Sequence, residues 1–181
     1  MSTLKVGTIQ DHANSNTAIS IDSSGRVTEP VKPCFAVTTS RGVTGNYTGG
    51  TGLNLPFDVI EFQRGGTVVA ISGSGDNTVA TFTAPITGIY QFNYTVNLAN
   101  TGNSNAFNST MLFIDGAQVS SSNDQSYRNL DDPESGLYHA LTSSFLISLN
   151  ANQTVNPMLQ ASGDSSITVR IGCRFSGFLV A

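Results

Sequence analysis

The residues from Tyr90 to Leu98 alternate strictly between apolar and polar side chains. The apolar phase consists of Tyr90, Phe92, Tyr94, Val96 and Leu98, and the polar phase of Gln91, Asn93, Thr95 and Asn97. Because successive side chains of a strand point to opposite faces, this pattern predicts a strand with one buried aromatic face and one polar face. Pro85 and Gly88 just before it predict a sharp turn that leads into this strand from a neighbouring one.

Further strand patterns recur at regular spacing along the chain. They cover residues 34–37, 68–71, 78–82, 111–114, 137–149 and 155–161. The last strand is predicted to place one apolar phase on a single face, namely Ile167, Val169, Ile171, Cys173 and Phe175. No helical period occurs and turn residues are abundant, so the sequence predicts an all-β sandwich or barrel.

Two local signals refine this strand prediction. Between residues 53 and 63 the apolar phase shifts at Ile60 and Phe62, which predicts a bulge or a strand break there. Asp115 and Gly116 separate two strand-forming pieces, and an Asp-Gly pair in that position predicts a hairpin turn.

Residues 1–32 differ from the rest of the chain. They contain two short strand-like pieces, at residues 4–9 and 18–22, which cannot bury enough surface to stand alone. Such an arm packs on the main domain, pairs with copies of itself, or pairs with another protein. Pro30 and Pro33 bracket a stiff connector. We therefore predict an attachment or oligomerisation arm at 1–32 and a main domain at 33–181.

Charge excludes some partners. The chain has 8 Lys and Arg against 12 Asp and Glu, and only 11% of its residues are charged. It therefore lacks the basic stripe that neutralises phosphates, which argues against nucleic-acid binding. No segment is apolar enough to span a bilayer, and the first ten residues lack the apolar run of a signal peptide, so we expect synthesis in a cytosol and no membrane insertion.

Catalytic groups are sparse. His12 and His139 are the only histidines and have no partners at catalytic or zinc-ligand spacing. Residues 163–166, Gly-Asp-Ser-Ser, are better interpreted as a hairpin turn than as a nucleophile loop. Cys34 and Cys173 are expected to be buried thiols and not a bridge, and the strand phase of Cys173 argues for a core position. We expect a protein without enzymatic activity.

The best metal candidate is an acidic cluster in the long irregular segment 119–136. Asp131, Asp132 and Glu134 could supply the converging oxygens that Ca²⁺ needs, and no other cofactor is expected. The favoured alternative is a solvated loop tip without metal.

Four motifs together resemble the C1q-like domain. They are PCFAV from Pro33, FTAPITGIYQF from Phe82, LFIDG from Leu112 and FSGFLV from Phe175. The resemblance covers residues 33–181 and implies a ten-stranded jelly roll of the C1q/tumour-necrosis-factor type, assembled as a tight homotrimer. One departure is local: residues 150–153, Asn-Ala-Asn-Gln, stand where the family often has Gly-Asp.

The arm carries a second resemblance. LKVGTIQ from Leu4 and AISIDSSGRVTEP from Ala18 are similar to the start of tail-fibre and related virion proteins of marine and cyanobacterial phages. This implies a phage structural protein made in the host cytoplasm. Its trimeric knob would belong to a tail fibre, a head fibre or a capsid decoration, and residues 1–32 would attach it to other virion proteins. The alternative is a secreted, lectin-like C1q recognition protein.

Contact with a host-surface glycan or protein is expected to come from loops, which carry function on rigid scaffolds. Tyr127 and Arg128 lie in the long irregular segment, and adjacent Tyr and Arg side chains are favoured in interface hot spots. They are the predicted binding residues.

Overall fold

The computed structural model describes residues 6–10, 12–13, 17–46, 53–99, 107–118, 128–129, 138–162 and 166–181. Its strands are β1 (Thr8–Gln10), β2 (Thr17–Ile21), β3 (Val27–Thr28), β4 (Cys34–Thr38), β5 (Val43–Asn46), β6 (Leu53–Asn54), β7 (Val59–Arg64), β8 (Val69–Ser72), β9 (Val79–Thr83), β10 (Gly88–Ala99), β11 (Phe107–Ile114), β12 (Ala117–Gln118), β13 (Arg128–Asn129), β14 (Tyr138–Leu149), β15 (Thr154–Ser162), β16 (Ser166–Val169) and β17 (Arg174–Leu179). A 3-10 turn at Gly75–Asn77 is the only helical element of these ranges. The predicted all-β class is confirmed.

Ten strands build two antiparallel layers. In the first layer, called the main sheet, neighbouring strands follow the order β7, β4, β17, β10 and β14. β10 pairs with β14 along its whole length, from Gly88 opposite Leu149 to Ala99 opposite Tyr138. The second layer has the order β12, β11, β15, β9 and β8. The short strands β5 and β16 extend the main sheet, and β6 and β13 extend the second layer.

The aromatic face of β10 forms the centre of the core. All five apolar side chains of the predicted phase, from Tyr90 to Leu98, are fully buried. Around them Phe175 packs on Phe92 with ring centroids 5.7 Å apart, and Phe35 packs on Phe175 at 5.1 Å. Each fully buried side chain of this size contributes roughly 1.5–3 kcal/mol through its removal from water. The alternation therefore positions the main sheet against the second layer.

The turn before β10 crosses between the layers. The prediction that it joins two neighbouring strands is wrong, because β9 pairs with β8 and β15 in the second layer. The Pro85–Gly88 turn therefore spans the sandwich. Its Gly88 is held close to the end of the chain, where an added Cβ would lie 2.6 Å from Leu179 Cδ1.

The predicted single strand over 167–175 is also wrong. β16 ends at Val169 and β17 begins at Arg174, so four residues, 170–173, lie opposite only two residues of β10. Gly172 has a φ of +79°, and its N–H donates to Thr39 O at 3.1 Å. This excursion leaves Val169, Cys173 and Phe175 buried and turns Ile171 out to solvent.

Both local signals are confirmed. Opposite β4, Ala36 pairs with Phe62 and Val37 with Ile60, so Glu61 is the extra residue of a bulge. At the β11–β12 hairpin, Asp115 and Gly116 have φ values of 50° and 79°. Two positive φ values are the signature of a type I′ turn, which suits the twist of the flanking strands.

The arm forms a small sheet of its own, in the order β1, β2 and β3. Its second hairpin closes around Asp22, whose Oδ1 accepts the N–H groups of Ser24 and Arg26, both at 2.9 Å. Within the described residues, no arm strand pairs with either layer of the sandwich. Nowhere in the described residues of the chain is there a helix long and apolar enough to cross a membrane.

Candidate functional site

The largest candidate surface is the solvent-facing side of the main sheet, here called the outer face. Since the even residues of β10 point into the core, its odd residues and their cross-strand neighbours point outwards. The outer face comprises Ile89, Gln91, Asn93 and Thr95 of β10, Thr142, Ser144 and Leu146 of β14, Arg174, Ser176 and Phe178 of β17, and Phe62 of β7.

The centre of the outer face is polar but uncharged. Gln91 Nε2 donates to Ser144 Oγ at 2.6 Å, and Ser144 Oγ donates to Asn93 Oδ1 at 3.1 Å. One step along the ladder, the hydroxyls of Thr95 and Thr142 lie 3.5 Å apart. Hydrogen bonds within the chain thus pair some of these polar groups, so covering those groups costs less than covering unpaired ones.

Apolar side chains flank this centre. Leu146 is 65% exposed, Phe62 46% and Phe178 44%, and Ile89 is also exposed. Singly exposed apolar residues are ordinary, but several of them on one sheet face form a patch of the kind that marks protein–protein contact. An ion pair between Arg174 Nη2 and Glu61 Oε2, at 2.7 Å, neutralises both charges on the same surface.

Beneath the outer face, the thiol of Cys173 is fully buried. Its Sγ accepts the N–H of Asn97 at 3.3 Å and lies 3.1 Å from Arg170 O. Burial raises the pKa of Cys173, which the nearby hydrogen bonds only partly oppose. A thiol kept protonated in this way is a core group and not a nucleophile, as its strand phase predicted.

The phenol of Tyr94 lies in the same region. Its hydroxyl is buried without a hydrogen-bond partner among the described residues. Burial, and then the nearby Cys173, raise the pKa of Tyr94 well above its usual value. The side chain therefore stays neutral, and its role is to pack in the core.

The predicted loop sites fall largely outside the described residues. Tyr127 and the acidic residues Asp131, Asp132 and Glu134 lie there, as do residues 163–165. Arg128 begins β13, where its backbone pairs with Asn108. Among the described residues, no group of three or more His, Cys, Asp or Glu side chains could hold a metal ion.

The remaining candidate residues are separated in the fold. His12 lies exposed in the arm, and His139 pairs with Leu98 at the far end of β14. Cys34 and Cys173 are both free thiols. Cys34 is half-buried, so the prediction of two buried thiols holds for Cys173 alone. Its strand position next to Phe178 accounts for the exposure.

The sequence prediction did not include the outer face. A signal was present in Phe145–Leu146–Ile147, where three apolar residues in succession break the alternation of β14. In a strand that is buried on one side only, the outward position of Leu146 is expected to be polar. A run of three apolar residues is instead typical of a strand that is covered on both faces.

A family model for the C1q domain matches residues 50–180. The chain belongs to the C1q-domain family. The jelly-roll fold that the motifs implied is therefore confirmed. C1q and tumour-necrosis-factor domains typically form homotrimers and are generally recognition modules without enzymatic activity.

Two solved structures illustrate the likeness. The globular domain of the zebrafish complement 1qA protein is 14% identical, with a TM-score of 0.48, and the match covers 83% of this chain and 98% of that one. The Eiger TNF of S. frugiperda is 10% identical, with a TM-score of 0.48 and coverages of 83% and 92%. No curated protein matches the sequence.

Proposed function

We propose that this chain is a non-enzymatic structural protein of a phage particle. Three C1q domains form a knob, and residues 1–32 attach it to other virion proteins. The observation that supports the assembly is the outer face, which combines exposed apolar side chains with an uncharged centre whose side chains hydrogen-bond to one another. The proposal places this surface between subunits.

The composition of the outer face suits burial against another copy. Covering apolar surface is favourable by roughly 25 cal/mol per Å². The hydrogen bonds that link Gln91, Ser144 and Asn93 lie within one chain and can persist when this surface is covered. In a cyclic trimer each subunit offers two different patches to its neighbours. Leu146, on the edge strand β14, is well placed to enter the outer face of the next subunit.

Support for the virion role comes from the arm. Its sequence, from Leu4 and from Ala18, is similar to the start of phage tail-fibre and related virion proteins. Among the described residues its small sheet pairs with no strand of the sandwich, and no described strand pairs with the outer edges of the short strands β1 and β3, which a partner could use. The arm is therefore the proposed attachment point.

Light scattering of the 181-residue chain tests the assembly. We expect the mass of three chains, and a monomer at all accessible concentrations would contradict the proposal. Mass spectrometry of purified particles tests the location. The protein should be present at a constant ratio to the major capsid protein. Its presence in culture medium and absence from particles would favour the secreted recognition protein instead.

Host contact is proposed for Tyr127 and Arg128. A double alanine variant should lower adsorption of particles to host cells while leaving the trimer mass unchanged. Unchanged adsorption would remove these two residues from the binding surface.

The candidate calcium site at Asp131, Asp132 and Glu134 is tested by calorimetric titration with calcium. Binding heat together with a raised melting temperature would support it, and loss of both in an Asp131→Asn/Asp132→Asn variant would assign it. No heat and no change in melting temperature would leave a solvated loop.

A further inference from the structure

The arm sheet has one apolar and one polar face. Ile9 pairs with Ile19, and Ile21 pairs with Val27. Since Ile19 and Ile21 are two residues apart in β2, all four side chains lie on one face of the sheet. We call this set, Ile9, Ile19, Ile21 and Val27, the arm apolar face.

The opposite face is polar. It carries Thr8, Ser20 and Thr28, and the hydroxyls of Ser20 and Thr28 lie 2.6 Å apart. The arm sheet is thus amphipathic. A layer of this kind normally packs its apolar side on another layer.

In the part of the chain that the structure describes, three of the four side chains of the arm apolar face are exposed, and Ile19 is half-buried. Val27 is 63% exposed and Ile9 51%, and Ile21 is exposed as well. Three short strands with their apolar side in water are only marginally stable, because the apolar face contributes nothing until another surface covers it. Covering this apolar face would therefore stabilise the arm sheet.

We propose that the arm apolar faces of three copies of this chain pack against one another around the axis of the trimer. This inference rests on the proposed homotrimer and assigns the partner of a second surface within it. The arms then form a small stem with an apolar interior at the end of the knob from which they leave, and their polar faces point to solvent.

The position of the connector favours this partner. The arm joins the sandwich at Pro33, whose carbonyl accepts the N–H of Leu179 at 3.0 Å. The next residue, Cys34, pairs with Phe178 of the outer face. Because each arm starts beside the surface that is proposed to meet another subunit, assembly of the knob brings the three arms together at one end.

Charge also favours packing between copies. The arm apolar face itself carries no ionisable group. Arg26 Nε pairs with Asp22 Oδ2 at 2.6 Å, and Lys32 Nζ pairs with Glu29 Oε2 at 3.2 Å, both within one chain. As far as the described residues of the arm are concerned, identical arms can therefore approach without repulsion between unpaired like charges. The outer edges of β1 and β3 and the polar face stay available for the particle.

Paired substitutions on the two faces of the arm sheet, made in the whole 181-residue chain, test the inference. Ile9→Lys/Val27→Lys should raise the concentration at which half of the trimer dissociates by about tenfold or more, since the two ammonium groups of each chain would be buried in one apolar stem. Thr8→Lys/Thr28→Lys adds the same charge to the same two strands, but on the polar face, and should leave that concentration unchanged. Equal behaviour of the two variants would overturn the inference.

Distances between spin labels provide a readout that does not depend on assembly strength. In a Cys34→Ser background, labels at Val27→Cys should lie closer together between subunits than labels at Thr28→Cys, because adjacent residues of β3 point to opposite faces. Equal distances, or shorter distances at residue 28, would overturn the packing. A trimeric mass without short distances at either site would reject the stem and leave the knob standing. A monomeric mass would reject the trimer and the stem together.

Discussion

Gly177 lies where two aromatic rings leave no room for a side chain. It is directly opposite Phe92 on one side and Phe35 on the other. A Cβ at this position would lie 2.6 Å from Phe92 Cδ1 and 2.8 Å from Phe35 Cε1. The glycine of the FSGF motif is therefore a packing requirement of the core.

Gly177→Ala should lower the free energy of unfolding by about 1–3 kcal/mol, the usual cost of overpacking a filled core. Denaturation in urea measures it. Gly7→Ala is a suitable control, because no described heavy atom beyond its chain neighbours lies within 4 Å of the added methyl group. An unchanged midpoint for Gly177→Ala would show that the rings can move aside.

The two tyrosines of β10 should respond oppositely to loss of their hydroxyl groups. Tyr94→Phe removes a buried oxygen that has no partner among the described residues, so the free energy of unfolding should rise or stay level, by up to about 1 kcal/mol. Tyr90 donates to Ile86 O at 2.8 Å, and Tyr90→Phe should cost about 0.5–1.5 kcal/mol. Thermal unfolding of both variants gives the comparison. A loss in Tyr94→Phe as large as in Tyr90→Phe would indicate a hidden partner for Tyr94.

At the scale of elements, one carboxylate ties two turns together. Asp115, in the β11–β12 turn, accepts the N–H of Thr154 at 2.8 Å and the Nε2 group of Gln153 at 3.0 Å. These donors, the Thr154 N–H first, lower the pKa of Asp115 below its usual 3.8. The turn after β14 is thereby held against the hairpin.

The tie should weaken in acid. A carboxyl whose pKa is lowered by folding stabilises the fold above its unfolded pKa, and this contribution is lost as the pH falls through the lower folded pKa. The difference in unfolding free energy between the wild type and Asp115→Asn should therefore be constant near neutral pH and shrink below about pH 4. Asparagine keeps the tolerance for positive φ. A difference that grows in acid would contradict the assignment.

The elements also show which information is local. The strand β10 could be predicted because its alternation lies within ten residues and reports one buried face. The layer that β9 joins could not, since that choice depends on pairing with β15, more than seventy residues away. Ile171 kept the apolar phase of its neighbours although the chain bulges there. The alternating pattern shows only which residues are apolar. The bulge depends on how β16 and β17 are in register with β10, which the pattern does not show.

At the scale of the whole molecule, the family and its jelly roll could be predicted from motifs, and the candidate surface could not. The outer face mixes apolar residues with a polar phase, and Phe62 and Leu146 look in sequence like core residues. Only the assignment of each strand to a layer separates side chains that face the core from those that face solvent.

Leu146→Asp tests the outer face as a subunit interface. The side chain is 65% exposed in one chain, so a carboxylate should leave the fold and its circular dichroism unchanged. In the trimer the charge would be buried, and the concentration for half-dissociation should rise about a hundredfold or more. Ile86→Asp, in the exposed turn between the layers, should retain the trimeric mass. A stable trimer of Leu146→Asp would place the interface elsewhere.

The two cysteines differ in what shields them, so their reactions with an alkylating reagent should report two different events. In the proposed trimer, Cys34 lies beside Phe178 and would be shielded by a neighbouring subunit. Cys173 is shielded by the core of its own chain, and its raised pKa keeps the thiol protonated and so less reactive. An alkylating reagent should therefore modify Cys34 at the rate at which subunits separate. It should reach Cys173 only when β10 and β17 part. One time course of labelling would then time dissociation and unfolding as separate events.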